Sequence, residues 1–152
     1  MSDPDDIRAW QRLSDRITTS GRLQDGDPAR LAAIGVRHVI NLALDEHPEA
    51  LAGERDKLAA LGLGYTHIPV PFDAPQDAHY AAFVQAMDNQ GPAHVHCIAN
   101  WRVSAFFYRW HREACGMPKA EARALLERQW SPETSDHPDA LAWAAFIGES
   151  QD

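Results

Sequence analysis

A cysteine and an arginine stand close together where two apolar segments of the sequence meet. The stretch HVHCIANWRVSAFFYRW, residues 94–110, places Cys97 five positions before Arg102. A cysteine thiolate is a strong nucleophile, and a guanidinium can bind two oxygens of a tetrahedral anion at once. The pair allows two interpretations: a buried, inert thiol beside a surface arginine, or a nucleophile that meets an anion held by the arginine.

The flanking segments would place this pair between a strand and a helix. AHVHC, residues 93–97, is short and apolar, as buried strands are. The segment after Arg102 repeats its apolar residues at helical spacing. The loop between the two segments would offer its backbone N–H groups to an anion, together with those of the first helical turn. The same groups would favour the thiolate form of Cys97.

The remaining segments alternate between strand-like and helix-like patterns. Strands are predicted from Ile17 onward as a short or extended segment, and at residues 36–44, 65–70 and 93–97. Helices are predicted at residues 3–13, 31–34, 48–61, 80–87, 103–114, 122–126 and 141–147. Asp25 or Asp27 is the candidate cap of the second helix. The alternation predicts an α/β fold with a mostly parallel central sheet flanked by helices, and Cys97 lies at the strand end where such sheets bind ligands.

Length, composition and charge limit the class of protein. With 152 residues, 45% of them hydrophobic and 24% charged, the chain is expected to form a single domain over residues 1–152. A formal net charge of −8 argues against nucleic acid and against an anionic membrane as partners. The absence of a secretory pattern and of a long apolar run predicts a cytoplasmic protein. In that compartment Cys97 and Cys115 are expected to be free thiols, the second with a structural role.

Three stretches of the sequence form a wider pattern around the cysteine. They are TTSGRLQDGDPARLAAIGVRHVINLAL, GYTHIPVPFDAP and HVHCIANWRVSAFFYRW, and together they span residues 18–110. Their order of strand, His-Cys, loop, arginine and helix resembles the signature of the cysteine-dependent protein tyrosine and dual-specificity phosphatases. The wider pattern resembles the small bacterial branch of that superfamily, which is related to the phosphatase-like domain of β-lactamase-hydrolase-like proteins.

The resemblance implies a hydrolase of phosphate monoesters that acts through a phosphocysteine intermediate. Cys97 would be the nucleophile, and the Arg102 side chain would bind the phosphate. The backbone that surrounds the phosphate would be that of Ile98, Ala99, Asn100, Trp101, Arg102 and Val103. Asp73 in PFDAP would protonate the leaving oxygen, with Asp77 as the alternative acid. The substrate would be a phosphorylated small molecule or a phosphoprotein, the site would also bind phosphate or sulfate, and no metal or other cofactor is implied.

The loop departs from the usual phosphatase pattern. The usual spacing is C-x5-R, whereas this chain has C-x4-R, and Asn100 stands where a glycine is common. Asparagine tolerates a left-handed backbone, so Asn100 would serve in place of that glycine. The hydroxyl that often follows the arginine directly is supplied one place later, by Ser104. Two alternative functions therefore stay open: a rhodanese-like sulfurtransferase or thiol enzyme, and a catalytically inactive anion-binding pseudo-phosphatase.

Several of these residues also have a structural interpretation. Asp73 could simply form a turn. His96 is expected to orient the strand end and the loop rather than to act as a base. Trp101 is expected to point outward or to form a wall of the anion site. Zinc is not predicted at His94 and His96, because Cys97 would lie on the opposite face of the strand.

Overall fold

The computed structural model describes residues 2–88 and 91–148. The strands are β1 (Gln11–Ser14), β2 (Ile17–Ser20), β3 (His38–Asn41), β4 (Gly64–His67) and β5 (Ala93–His96). The helices are α1 (Asp27–Ala33), α2 (Glu54–Ala59), α3 (Asp77–Met87), α4 (Trp101–Glu113), α5 (Lys119–Glu127) and α6 (Ala140–Ile147). No helix within the described ranges is long and apolar enough to cross a membrane.

The predicted α/β fold with a mostly parallel sheet is confirmed. The five strands lie side by side in the order β1-β2-β5-β3-β4. Strands β2, β5, β3 and β4 run parallel, whereas β1 pairs with β2 as an antiparallel hairpin. Strand β5 lies in the middle of the sheet, and all four of its residues are buried. The chain that follows β5 therefore leaves the sheet at its centre.

Helices cover both faces of this sheet. Successive residues of a strand point to opposite faces, and β3 shows this alternation. Val39 packs in a core with Leu31 of α1 and Leu58 of α2, whereas Ile40 belongs to a larger core that includes residues of α3, α4 and α6. The loop after β5 thus lies between two packed layers, which fix the direction in which it leaves the sheet.

Aromatic contacts hold α4 against its neighbours. Phe106 and Phe107 are 0% and 2% exposed. The ring of Phe83, from α3, meets both of them edge-on at centroid distances of 5.4 and 5.1 Å. Trp143, from α6, contacts Phe106 at 6.0 Å. Such pairs add to the free energy gained from burial alone, and they hold the middle of α4 against α3 and α6.

The helix predicted over residues 3–13 is wrong. Residues 5–9 form turns, and residues 11–14 form β1. Pairing of β1 with β2 satisfies backbone groups that a helix would have satisfied within itself. The Arg12 guanidinium also binds the Asp3 carboxylate at 2.7 Å, which holds the preceding segment in its turned path.

Other predicted elements are present with shorter bounds. The helix expected over residues 48–61 begins at Glu54, and the strand expected over residues 36–44 is reduced to β3. Neither Asp25 nor Asp27 caps α1, because the cap position is taken by Gly26 without a side-chain hydrogen bond. The Asp27 carboxylate instead accepts a hydrogen bond from the backbone N–H of Gln24 at 2.8 Å.

His94 is a neutral histidine inside the sheet. Its side chain is fully buried, and its two ring nitrogens lie 2.8 Å from the hydroxyls of Thr18 and Ser20. Trp10 stacks on the ring at a centroid distance of 5.3 Å. Burial, with a smaller contribution from the charge of His96, holds the pKa of His94 well below its ordinary value of 6.5.

The neutral state of His94 should make the protein less stable in mild acid. Below about pH 6.5 this histidine takes up a proton in the unfolded chain but not in the folded protein, so the free energy of unfolding falls as the pH decreases. A His94→Gln variant lacks this proton uptake. Its melting temperature should therefore fall less than that of the wild type between about pH 7.5 and about pH 5.5 in thermal unfolding. Equal decreases for the two proteins would contradict this account.

Candidate active site

A cavity at the carboxyl end of the sheet is bordered by the predicted nucleophile. Cys97 directly follows β5 and is 1% exposed, yet it lines a cavity of about 510 Å³. Parallel strands end together at this edge, so the loops that follow them meet around the cavity. The lining residues are Leu44, Glu46 and His47 after β3, Phe72 after β4, Cys97, Ile98, Ala99, Trp101 and Arg102 after β5, and His137 and Asp139 before α6. Cys97 and Arg102 therefore border one cavity.

The loop after Cys97 carries backbone donors that the protein leaves unused. Among the described residues, no carbonyl or side chain accepts a hydrogen bond from the N–H groups of residues 98–103. The Ile98 carbonyl is engaged by the N–H of Arg22 at 2.9 Å. Because C=O and N–H point in opposite directions across a trans peptide, this contact turns the N–H of Ala99 away from β2. Unused donors beside a guanidinium are suited to an anion.

Gly21 allows the loop to approach the end of β2. A Cβ atom at this position would lie 2.3 Å from the Ile98 carbonyl oxygen and 3.2 Å from the Cα atom of Ala99. Both are backbone atoms, so a larger residue would displace the loop. Sequence reasoning missed the role of Gly21, although the residue belongs to the first of the three stretches that carry the family resemblance.

Asn100 has the left-handed backbone that the sequence predicts. Its φ is 67° and its ψ is 9°, and α4 begins with the next residue. The side-chain amide donates to the Ala9 carbonyl at 2.9 Å and to the Thr19 hydroxyl at 3.0 Å. Asn100 thus provides the turn into α4 and also fastens the loop to β2 and to the N-terminal segment.

Arg102 is held at the cavity by its neighbours. It is the second residue of α4 and is 7% exposed. One guanidinium nitrogen, Nη1, donates to the Val70 carbonyl at 2.9 Å, and the guanidinium carbon lies 5.8 Å from the centre of the Phe72 ring. No acceptor for the other guanidinium nitrogens is found among the described residues. The side chain is thus oriented by the protein while most of its donors stay available.

His96 is paired with a carboxylate that sequence reasoning did not single out. Its Nε2 lies 2.6 Å from Oε2 of Glu54, and its Nδ1 lies 3.3 Å from the carbonyl oxygen of Cys97. Both side chains are buried, with exposures of 4% and 6%. Glu54 begins α2, far from the loop in sequence, so only the folded structure reveals the pair. These contacts support the predicted orienting role of His96.

Aromatic rings form one wall of the cavity. Trp101 stacks on Trp130 with centroids 4.6 Å apart and planes at 3°, and Phe72 contacts both rings at 6.1 and 5.8 Å. The Trp130 indole N–H also donates to the Trp101 carbonyl at 3.1 Å. His137 meets the Phe72 ring edge-on at 4.9 Å. Trp101 therefore lies in the wall, one of the two positions expected for it.

Neither predicted acid lies in the cavity wall. Asp73 is exposed and is not a lining residue. Asp77 pairs with Arg109 at 3.0 Å, and its side chain is 90% exposed. The carboxylates of the wall belong to Glu46 and Asp139. The role of Asp73 as the acid, with Asp77 as the alternative, stays a prediction.

Other predicted residues lie outside the cavity. The Val103 side chain is fully buried in the core, so only its backbone N–H is left for the loop. The Ser104 hydroxyl donates to the Trp101 carbonyl at 3.1 Å. Cys115 is an exposed free thiol whose pKa is raised by partial burial. Within residues 2–88 and 91–148, no group of three side chains is placed to hold a metal ion.

The energetic cost of the left-handed backbone at residue 100 should be measurable in variants of Asn100. Asn100→Gly loses the two side-chain hydrogen bonds, at a cost of about 1 kcal/mol each in the free energy of unfolding. Asn100→Ala loses the same bonds and also forces alanine into the left-handed region, which costs roughly 1 kcal/mol more. Denaturation in urea should therefore rank wild type above Asn100→Gly and Asn100→Gly above Asn100→Ala. Equal stability of the two variants would show that the positive φ carries no cost.

Comparisons with known proteins agree with the observed fold. No protein-family model matches the sequence, and no curated protein matches it. A crystal structure from Shewanella putrefaciens CN-32, named "Putative phosphatase (DUF442)", is 29% identical, with 93% of this chain and 90% of that chain covered and a TM-score of 0.78. P. aeruginosa TpbA in complex with pTyr is 21% identical, with 99% and 88% covered and a TM-score of 0.71. PTPMT1 in complex with PI(5)P is 16% identical, with 91% and 93% covered and a TM-score of 0.70.

The likeness extends over nearly the whole chain. The two more distant structures establish the fold, and the structure from Shewanella also shares more than a quarter of its residues with this chain. The central strand, the cysteine loop and the helix that follows are the features from which the sequence predicted this relationship. The chain has the fold of the cysteine-dependent protein tyrosine phosphatase superfamily, and its likeness to the DUF442 structure supports a place in the small bacterial branch of that superfamily.

Proposed function

We propose that this protein is a cysteine-dependent phosphatase that hydrolyses phosphate monoesters. One observation carries the proposal: the Cys97 residue, a loop with unused backbone N–H groups at residues 98–103, and the Arg102 guanidinium all border the same cavity. A phosphate group offers the negative charge and the acceptor oxygens that such donors require. The fold of the structural neighbours is that of enzymes with this chemistry, which supports the same conclusion.

The proposed reaction has two steps. The Cys97 thiolate attacks phosphorus in line, a sulfur–phosphorus bond forms, and the bond to the ester oxygen breaks. Asp73 donates a proton to that oxygen, so the product leaves as an alcohol or phenol. Water then attacks the phosphocysteine, which releases inorganic phosphate and restores the thiolate. Arg102 and the loop N–H groups stabilise the equatorial phosphate oxygens in both steps.

The cavity wall favours a substrate with one phosphate on an uncharged aromatic group. Phe72 and Trp101 offer ring faces beside the loop. Arg102 is the permanently charged cation among the described lining residues, whereas Glu46 and Asp139 would repel further phosphates. TpbA was crystallised with pTyr and PTPMT1 with PI(5)P, so both an aryl ester and a lipid headgroup are reasonable probes for this chain.

Replacement of the two central residues tests the proposed reaction. The wild type should release phosphate steadily from p-nitrophenyl phosphate. Cys97→Ser should reduce the rate to background because the nucleophile is lost. Arg102→Lys should reduce kcat by about 10²- to 10³-fold because the paired donors to the phosphate oxygens are lost. Cys115→Ser, which alters the exposed thiol outside the cavity, is the matched control and should keep full activity.

Other outcomes would assign the alternative functions. A Cys97 persulfide in the intact mass after thiosulfate treatment, without phosphate release, would indicate a sulfurtransferase. Thermal stabilisation by inorganic phosphate that persists in Cys97→Ala, again without turnover, would indicate an anion-binding module. A protein that neither turns over aryl phosphates nor binds phosphate or vanadate would refute the phosphatase proposal.

The residue that protonates the leaving group can be identified by comparing substrates whose leaving groups differ in their need for a proton. Asp73 is the proposed donor because it directly follows Phe72, which lines the cavity. Asp73→Asn should lower kcat about 10²- to 10⁴-fold for an alkyl phosphate, whose leaving group needs a proton, and far less for p-nitrophenyl phosphate. The same selective loss in Asp77→Asn, at the residue paired with Arg109, with Asp73→Asn unaffected, would assign the role to the alternative acid. The same selective loss in Asp139→Asn, with Asp73→Asn unaffected, would move the role to the start of α6.

A further inference from the structure

We propose that Glu54 is a positioning residue for the cysteine loop: its buried carboxylate holds His96 as an imidazolium whose other N–H binds the Cys97 carbonyl. The catalytic consequence of this arrangement rests on the proposed phosphatase function. The arrangement itself rests on hydrogen-bond geometry alone. Within the described ranges the hydrogen bonds of Glu54 join it to Asn41 and His96, neither of which lines the cavity, so it would act on the loop indirectly.

The direction of the hydrogen bonds around Glu54 is fixed by its neighbours. The Asn41 side-chain oxygen accepts from the backbone N–H of Ala43 at 2.9 Å, so its amide nitrogen faces Glu54 and Tyr65. That nitrogen lies 3.3 Å from Oε1 of Glu54 and 3.1 Å from the Tyr65 hydroxyl oxygen. Glu54 therefore accepts at Oε1, which leaves Oε2 for His96.

The partners of His96 require protons on both ring nitrogens. Nδ1 faces the Cys97 carbonyl oxygen, which can only accept, so Nδ1 carries a proton. Nε2 faces the Glu54 carboxyl group, and one proton must lie between the two. The Asn41 amide already donates to Oε1, which favours the carboxylate form of Glu54, so we assign that proton to Nε2. His96 is then a cation and Glu54 an anion, and both are buried.

Two titratable groups, Tyr65 and His94, lie close to this pair. Tyr65 lies near Glu54, whose negative charge adds to burial in raising the pKa of the tyrosine to about 12. His94 stacks beside His96 at 6.2 Å, and the positive charge of His96 contributes to the low pKa of His94. Two further charged groups act on Tyr65: Asp45 raises its pKa and Arg55 lowers it.

The hydrogen bond from His96 sets the orientation of the first peptide of the loop. Across a trans peptide the Cys97 carbonyl and the Ile98 N–H point in opposite directions. A carbonyl held toward His96 therefore turns the Ile98 N–H away from His96. The imidazolium also places a positive charge on the residue directly before the nucleophile, which favours the thiolate.

The protonation of His96 can be measured in the wild-type protein. Nitrogen-15 spectra of histidine-labelled protein, with the signals of His96 assigned by their loss in His96→Asn, should show two protonated ring nitrogens at about pH 7. A His96 ring with one unprotonated nitrogen at that pH would overturn the proposal. This measurement needs no variant of Glu54, so it decides the question even if such variants fail to fold.

The effect on the nucleophile can be measured by alkylation. In a Cys115→Ser background, Cys97 is the remaining thiol, and iodoacetamide should modify it roughly three- to tenfold more slowly at about pH 7 in Glu54→Gln than with Glu54 in place. Glu113→Gln, which removes an exposed carboxylate paired with Arg109, is the matched control and should not change the rate. A lower melting temperature of Glu54→Gln with an unchanged alkylation rate would show a merely structural role and overturn the proposal. Neither readout needs turnover, so a failure of the phosphatase proposal would be seen separately.

Discussion

The hydrogen bond from the Arg22 N–H to the Ile98 carbonyl is the constraint on which the cysteine loop depends. A short loop that gathers N–H groups around an anion must direct its carbonyls elsewhere, because buried backbone oxygens also need partners. The end of β2 supplies that partner, and Gly21 leaves the space for it. Asn100 then completes the turn into α4 with its left-handed backbone. The candidate anion site thus depends on the partners of the loop carbonyls as much as on the direction of the loop N–H groups.

The two histidines of β5, His94 and His96, have different roles in the structure. His94 and His96 lie on one face of the strand and stack on each other, yet their surroundings differ. Hydroxyl groups from β2 surround the first, which stays neutral, whereas a carboxylate from α2 and a carbonyl from the loop surround the second. The difference comes from the neighbouring strands and helices, because burial is nearly complete for both rings. In a sheet interior the available partners decide what a histidine does.

The fold and the central pair of Cys97 and Arg102 could be predicted from the sequence. The residues that hold the cysteine loop in place could not. Alternating apolar segments predicted the parallel sheet, and the position of Cys97 after an apolar strand placed it at the correct edge. The contacts of Gly21 and Glu54 could not be predicted, because each depends on a partner far away in the chain. The error at residues 3–13 has the same origin, since the pairing of β1 with β2 overrides a local helical pattern. Local patterns determine elements, whereas tertiary partners determine which polar residues matter.

The stacked indoles of Trp101 and Trp130 join the beginning of α4 to the chain that follows α5. One indole borders the cavity directly, and the other is fastened to it by ring contact and by a hydrogen bond to its backbone. Any evolutionary change of the wall at Trp101 would therefore disturb the cysteine loop itself unless Trp130 changed with it. Related proteins with a differently shaped cavity wall should accordingly differ at both positions together, as a covarying pair.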